Sequence, residues 1–342
     1  MTTPEAKHSA RLTRPKLLIS NRLHDDVLAT LKEQCEVHMN MSATPWSHQQ
    51  FLRELESHQP DAALVFMSDC VNVEILRASK NLRLVAAALK GTNNIDIDLA
   101  SELGVCVTYV PGMLTEPTAE LTLTLMLMQA RQIPQASRWV KTGNFKGWEP
   151  KFFGNTLFRA KVGILGFGAI GQELTKLLKP FSAQVKFFDP KSTTFSELYA
   201  EPSTMEEIVA WSDYLVLALP YTSQTHHLIN KDVIAHMRND AVLVNTARGS
   251  IVNESDVAEA LTAGRLAGYV ADVFEMEDWA IKDRPREIDQ RLLNDDRVVL
   301  TPHIGSAVAT IRKQIEMQAA QSVLAYFGGD SVANCLNPQV LG

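Results

Sequence analysis

The stretch Lys161–Asp189, KVGILGFGAIGQELTKLLKPFSAQVKFFD, constrains this chain more than any other. Val162–Leu165 is an apolar run of strand length. It ends in Gly166-Phe-Gly168-Ala-Ile-Gly171, a helical pattern follows to about Lys179, and a second apolar run, Val185–Phe188, ends in Asp189. Each glycine has its own physical task. Gly166 permits the tight turn, Gly168 lets a pyrophosphate approach the backbone, and Gly171 lets helix and strand pack closely. The helix start at Ala169 and Ile170 offers unpaired N–H groups and partial positive charge to phosphates. Asp189, 18 residues after Gly171, can accept hydrogen bonds from a ribose diol and repels a 2′-phosphate. The order strand, Gly-rich turn, helix, strand, acid predicts dinucleotide binding, with NAD preferred over NADP. Lys191 nearby softens that preference.

A length of 342 residues implies two domains, and a hydrophobic fraction of 46% supplies two cores. The net charge of −6, from 33 Lys and Arg against 39 Asp and Glu, comes with no long basic block, so nucleic acid is not an expected partner. An anionic substrate must be met by local cations. Cys35, Cys70, Cys106 and Cys335 are widely spaced singles, expected to be reduced structural thiols in a cytoplasmic protein. The polar start MTTPEAKHSARLTRPK has no apolar signal core, and no run is long enough to span a bilayer, so no membrane contact is expected. No metal is expected.

Before the Gly-rich unit, residues 1–15 read as a weakly docked arm. Strands are predicted at 16–20, 36–39, 62–67, 84–89 and 105–109, with helices at 25–34, after the polar stretch SATPWSHQQ (42–50), at 73–78 and through Leu99. Pro111-Gly112 is a breaker pair and a candidate hinge. Thr115 opens a long helix to about Arg131, Gln135–Thr142 forms another, and an aromatic loop follows from Phe145 to Phe153. Beyond the Gly-rich unit, strands are predicted at 214–219, 241–245, 269–273 and 298–300, a helix capped by Asn253 ends at Gly264, and a final helix runs from about Ser306 to Tyr326. The alternation predicts an α/β fold with parallel sheets. A cofactor domain, 114–308, is inserted in a substrate domain formed by 1–113 and 309–342, and the two crossings are natural hinges.

Arg248, Glu277 and His303 each fall just after a predicted strand of the second half, where open parallel sheets bind ligands. Arg248 offers a fork suited to an oxyanion. His303 has an ordinary pKa near neutrality, and Glu277 can bond its far ring nitrogen and set its tautomer. The alternatives are a histidine that only caps the last helix, an arginine paired with a surface acid, and an acidic run (Glu275, Glu277, Asp278) that only faces solvent.

From Lys16 to the final helix the chain resembles the D-isomer-specific 2-hydroxyacid dehydrogenase family, on GFGAIG, Pro117–Leu121, LVNTARG, ADVFEMED and TPHIGSA. The resemblance implies two Rossmann-like domains, an arginine that binds the substrate anion, a glutamate that orients the acid–base histidine, and a homodimer with contacts in 117–131 and 139–153. It extends the expected NAD-binding residues to Thr118, Ala218, Leu219, Pro220, Thr246, Ala247 and Asp272. Within the family the chain is most similar to the phosphite-oxidising branch, on ALKG (Ala88–Gly91), GW-P-F (Gly147–Phe152), ADVFEMEDWA (Ala271–Ala280), DRPR (Asp283–Arg286) and Arg312 behind TPHIGSAV. That similarity implies oxidation of phosphite to phosphate by hydride transfer from P–H to NAD⁺, with Lys90 and Arg248 as substrate cations, Met67 and Leu114 lining the pocket, and Arg312 in a second rank. Phe153 departs from an expected tyrosine, and Asp189-Pro190 from a glutamate and a small residue. Physically, Lys90 directly after a buried strand suits a compact dianion that one arginine does not neutralise. The alternatives are a reductase of glyoxylate or hydroxypyruvate, which needs no Lys90, and a NAD-sensing corepressor-like protein, which needs no acid–base pair.

Overall fold

Four-residue strands buried at every position recur along the chain: Ala62–Val65, Leu84–Ala87, Tyr214–Leu217, Val242–Asn245 and Gly268–Ala271. Strands of this kind need cover on both faces, which parallel sheets crossed by helices supply. The computed structural model describes residues 14–191, 199–278 and 281–341. The predicted N-terminal arm, except for residues 14 and 15, lies outside them, as do Trp279 and Ala280 of the ADVFEMEDWA motif.

The chain divides into two compact units, Met1–Pro111 with Lys313–Gly342, and Gly112–Arg312. The first unit contains β1 (Lys16–Ile19), α1 (Asp25–Gln34), β2 (Glu36–Met39), α2 (His48–His58), β3 (Ala62–Val65), α3 (Val73–Ala78), β4 (Leu84–Ala87), α4 (Ile97–Glu102) and β5 (Cys106–Thr108). Its sheet is five-stranded and parallel, in the order β2-β1-β3-β4-β5. Side chains write the helix starts here. Ser47 and Gln50 form a capping box on α2, and the Asn72 and Asp96 side chains accept first-turn N–H groups of α3 and α4.

The second unit runs through α5 (Thr115–Ala130), α6 (Ile133–Lys141), β6 (Lys161–Leu165), α7 (Ala169–Leu178), β7 (Gln184–Phe188), β8 (Glu201–Pro202), α8 (Met205–Trp211), β9 (Tyr214–Leu217), α9 (Lys231–Ile234), β10 (Val242–Asn245), α10 (Glu254–Thr262), β11 (Gly268–Ala271), α11 (Gln290–Leu293) and β12 (Val298–Leu300). The chain then enters α12 (Ala309–Gly328). The seven-stranded sheet is parallel throughout, in the order β12-β11-β10-β9-β6-β7-β8. Strand order reverses between β6 and β9, which is where such sheets bind ligands. Alternate strand residues build two cores. Val162, Ile164, Val216, Val244 and Val270 face α5 and α7 residues such as Met126 and Leu174, while Leu165, Leu217, Leu243 and Tyr269 pack with Ile208, Val257 and Leu261. The fold is α/β with two parallel, Rossmann-like sheets. Among the described residues, no helix is long and apolar enough to cross a membrane.

Buried runs predicted as single strands end earlier than expected. The 62–67 strand stops at Val65 and the 84–89 strand at Ala87, and the buried residues beyond them form the loops at the carboxyl edge. There Asp69, 3% exposed, accepts hydrogen bonds from the Ser20 hydroxyl and from the Phe66 N–H at 2.7 Å, tying the loops after β1 and β3 together. Burial pushes its carboxyl up to about 6, against the pull of those two bonds. The folded state therefore holds this proton more tightly than the unfolded chain, so the group makes stability fall as pH rises through that window. In urea titrations we expect the wild type to lose on the order of 3 kcal/mol from this group between about pH 4 and 6, and Asp69→Asn to lack that slope. Parallel pH profiles for the two proteins would contradict this.

Candidate active site

β6 runs into Gly166, whose φ of +93° lets the chain turn sharply. The turn lies hard against the loop after β9: a Cβ on Gly166 would stand 2.6 Å from the Ala218 carbonyl carbon and 2.7 Å from the Leu219 nitrogen. Only glycine fits between the two strand ends at the reversal of strand order. Gly171 has a matching constraint from the helix side, where a Cβ would come 2.6 Å from the Gly166 oxygen. Gly168, the N-cap of α7, differs: a Cβ there would meet nothing within 4 Å. Open space over a helix N-terminus, next to backbone N–H groups, fits a pyrophosphate. Asp189 is half-buried, and its two carboxylate oxygens accept from the Phe167 and Lys191 N–H groups, each at 2.8 Å. Each oxygen keeps a second lone pair for a ribose diol. The residues present therefore fit a dinucleotide with an unphosphorylated adenosine ribose.

Three further strand ends in the same unit carry the other chemistry. After β10, the Asn245 side chain donates to the Arg248 carbonyl at 2.9 Å and accepts from the Ala247 N–H at 3.1 Å, which shapes the turn. Gly249 then passes directly against the turn after β11, since a Cβ would fall 1.9 Å from the Phe274 carbonyl carbon. The approach is locked by Asp278, which accepts from the Ser250 N–H at 2.8 Å. Arg248 is half-buried, and its guanidinium donates to the Ala247 carbonyl at 2.7 Å. Burial lowers its pKa, and the nearby Asp278 and Glu277 carboxylates oppose that shift.

Past β11, Asp272 is 2% exposed and holds the turn that follows β12. One oxygen accepts from the Thr301 hydroxyl at 2.6 Å and the Ile304 N–H at 2.8 Å, and the other from the Gly305 N–H at 2.9 Å. Burial raises its pKa despite those bonds. Inside this loop His303 adopts a φ of +55°, a left-handed conformation that costs a non-glycine residue energy and persists only where the surroundings enforce it. The His303 ring meets Glu277 through Nδ1 and Oε2 at 2.7 Å, while Glu277 Oε1 accepts from the Phe274 N–H at 2.7 Å. A carboxylate on Nδ1 leaves Nε2 for a reacting group. The predicted pair is thus brought together, beside Arg248.

The α5 residues close this side of the site. Thr118 is buried, with its hydroxyl nearest to where a Cβ on Gly305 would lie, and Thr122 bonds the Thr246 hydroxyl at 2.8 Å. The strand expected over 214–219 stops at Leu217, so Ala218, Leu219 and Pro220 follow β9; Leu114 precedes α5, and Arg312 lies in the first turn of α12. Lys90 and Met67 belong to the first unit, three residues past β4 and two past β3, both half-buried.

Sequence reasoning missed a buried set behind these turns. Glu275 and Asp278, for which the alternative was a run that only faces solvent, are 6% and 3% exposed. Glu254 and Glu275 each accept the other's backbone N–H, at 2.9 and 3.0 Å, and Glu275 also meets His227 Nε2 at 2.5 Å. Burial, first among the causes, pushes the Glu254 carboxyl up to about 7. The acidic run turns inward because its partners lie more than 20 residues away, which composition does not reveal. Elsewhere, His38, Glu54 and His58 bring three metal-type donors within 4.8 Å of one another. The two imidazoles stack with centroids 3.7 Å apart, so their in-plane lone pairs do not converge on one ion.

Residues 123–305 match the profile of the D-isomer specific 2-hydroxyacid dehydrogenase, NAD binding domain. A glyoxylate reductase from Pyrococcus horikoshii is 32% identical over 335 residues, covering 96% of this chain and 97% of that protein. Among solved structures, an NADPH-dependent glyoxylate/hydroxypyruvate reductase from Sinorhizobium meliloti in complex with NADP and malonate matches with a TM-score of 0.81 at 26% identity, covering 95% and 97% of the two chains. The TT0316 protein of Thermus thermophilus matches with a TM-score of 0.83 at 29% identity, covering 94% and 99%. These findings overturn the expectation of phosphite as hydride donor. That expectation rested on Lys90 and short motifs, whereas the similarity that spans the chain is to glyoxylate reductases.

The open space at Gly168 yields a direct check. Gly168→Ala is expected to keep the fold, with Tm within about 2 °C of wild type, while weakening NADH binding at least about tenfold in a fluorescence titration. Unchanged NADH affinity would contradict the placement of the pyrophosphate.

Proposed function

The chain belongs to the D-isomer specific 2-hydroxyacid dehydrogenase family, and from that premise we propose that it is an NADH-dependent reductase of small 2-oxo acids of the glyoxylate and hydroxypyruvate type. The observation that carries this reading is the His303–Glu277 pair, 2.7 Å apart, on a turn next to the one that presents Arg248. NADH bound at the Gly166–Gly171 turn supplies the hydride. The protein's own residues do the rest. Arg248 grips the substrate carboxylate with a fork whose partial burial strengthens the attraction. His303, its Nδ1 held by Glu277, gives the Nε2 proton to the carbonyl oxygen as C2 gains the hydride, so that the carbonyl becomes the hydroxyl of a 2-hydroxy acid. Run backwards, the same pair removes the hydroxyl proton. A monoanion needs one arginine, so this reading does not call on Lys90. Within the second unit, Leu114 and Arg312 are proposed pocket residues by resemblance alone.

The corepressor-like alternative has no use for the strained His303 loop or for a histidine tied to a carboxylate. We place the protein in the cytoplasm, in keeping with its four widely spaced single cysteines. We also propose a homodimer. Helix α6 has no buried residue in the isolated chain, and Trp148 and Phe153 beyond it are 85% and 76% exposed, an apolar display that a second copy would cover.

Two measurements follow. Purified enzyme is expected to oxidise NADH with glyoxylate or hydroxypyruvate. His303→Ala should lower kcat about 10²- to 10⁴-fold, and Arg248→Ala should lower kcat/KM at least about tenfold, mainly through KM. Wild-type turnover by either variant would overturn the assigned roles. On a calibrated sizing column the wild type should elute as a dimer and Trp148→Glu should shift toward monomer. A wild type that elutes as a monomer at micromolar concentration would refute the dimer.

A further inference from the structure

The sequence separates Cys106 and Cys335 by 229 positions, yet their Sγ atoms lie 3.4 Å apart. The contact is built by the backbone. Segment Asn334–Asn337 runs along the outer edge of β5: the Tyr109 N–H donates to the Asn334 carbonyl at 3.2 Å, and the Leu336 N–H to the Val107 carbonyl at 2.8 Å. Thr108 and Cys335 form an antiparallel bridge. Asn337, 1% exposed, finishes the seam, accepting from the Val107 N–H and donating to the Val105 carbonyl, both at 2.9 Å. This segment covers a sheet edge that would otherwise be open, and it places two thiols, one from each sequence segment of the first unit, side by side.

We propose that Cys106 and Cys335 are a modification site, a thiol pair that a hydroperoxide converts to an intramolecular disulfide. The first unit is discontinuous, leaving at Pro111 and resuming at Lys313. A bond between β5 and the C-terminal segment would close it covalently around the whole of the second unit's sequence.

The two thiols divide the chemistry. Cys106 is fully buried, and that burial, with the neighbouring thiol, pushes its pKa up, so it stays protonated and is the poorer first nucleophile. Cys335 is half-buried and is the more exposed residue of the two. Its attack on the peroxide breaks the O–O bond, forms sulfenic acid and releases water from hydrogen peroxide. The Cys106 sulfur then attacks the sulfenyl sulfur. The S–S bond forms, hydroxide leaves, and it takes up the Cys106 proton as water. Net, two thiols and one hydrogen peroxide give one disulfide and two waters. Proximity offsets the poor ionisation of Cys106, as intramolecular reactions of well-placed groups gain a high effective concentration.

The test uses the full chain with hydrogen peroxide, followed by alkylation in denaturant and peptide mapping without reduction. We expect one cross-linked peptide joining Cys106 to Cys335, loss of two of the four free thiols, a Tm higher by about 5 °C, and reversal of all three by dithiothreitol. Cys70→Ser should leave the cross-link intact, and Cys335→Ser should abolish it. Mapping of the wild type does not depend on how the variants fold. A Cys106 that remains alkylatable while Cys335 passes to sulfinic acid, or a cross-link between two chains, would overturn the proposal.

Discussion

One buried carboxylate holds the site's geometry. Asp272 accepts from the Thr301 hydroxyl and from the Ile304 and Gly305 N–H groups, so a single side chain at the end of β11 dictates the path of the loop after β12. That path includes the left-handed His303. A residue in this conformation relaxes unless the bonds on either side outweigh the strain, which is of order 1–3 kcal/mol. Three charge-assisted hydrogen bonds in a buried setting are enough to do so. The cost falls on Asp272, whose carboxyl is driven up by burial.

The neighbouring turns obey the same rule of close approach plus buried acid. Gly249 leaves no room for a side chain against Phe274, and Asp278 fastens the contact through the Ser250 N–H. The reciprocal Glu254–Glu275 bonds fasten it again from behind. These contacts bring Arg248 near Glu277, and through Glu277 near His303. Such rigidity is what a hydride transfer requires, because a shift of about 1 Å in the reacting groups costs on the order of 100-fold in rate.

Much of this was legible in the sequence because the signals are local. Apolar runs such as YLVL and VLVN read as buried strands, GFGAIG sets its own turn, and Asn253 and Gly264 bracket α10 as expected. Where the signal is weak, elements went unread: β8 has two residues, α9 and α11 four each, and α8 seven. The inward turn of Glu275 and Asp278 went unread for a different reason. An acid near other acids looks solvated unless its distant partners, here Glu254, His227 and Ser250, are known. Cys106 and Cys335 were read as separate thiols because nothing in a spacing of 229 residues implies contact. The phosphite reading failed because one lysine and a few short motifs outweighed the resemblance that runs along the whole chain.

The most direct test of the account is Asp272→Asn, which replaces one accepting oxygen with a donor facing N–H groups of the His303 loop. Amide hydrogen exchange and steady-state glyoxylate reduction should be measured on the same protein. The account predicts loss of protection at Ile304 and Gly305 and a fall in kcat of at least about 100-fold. Wild-type turnover with unchanged protection would contradict it.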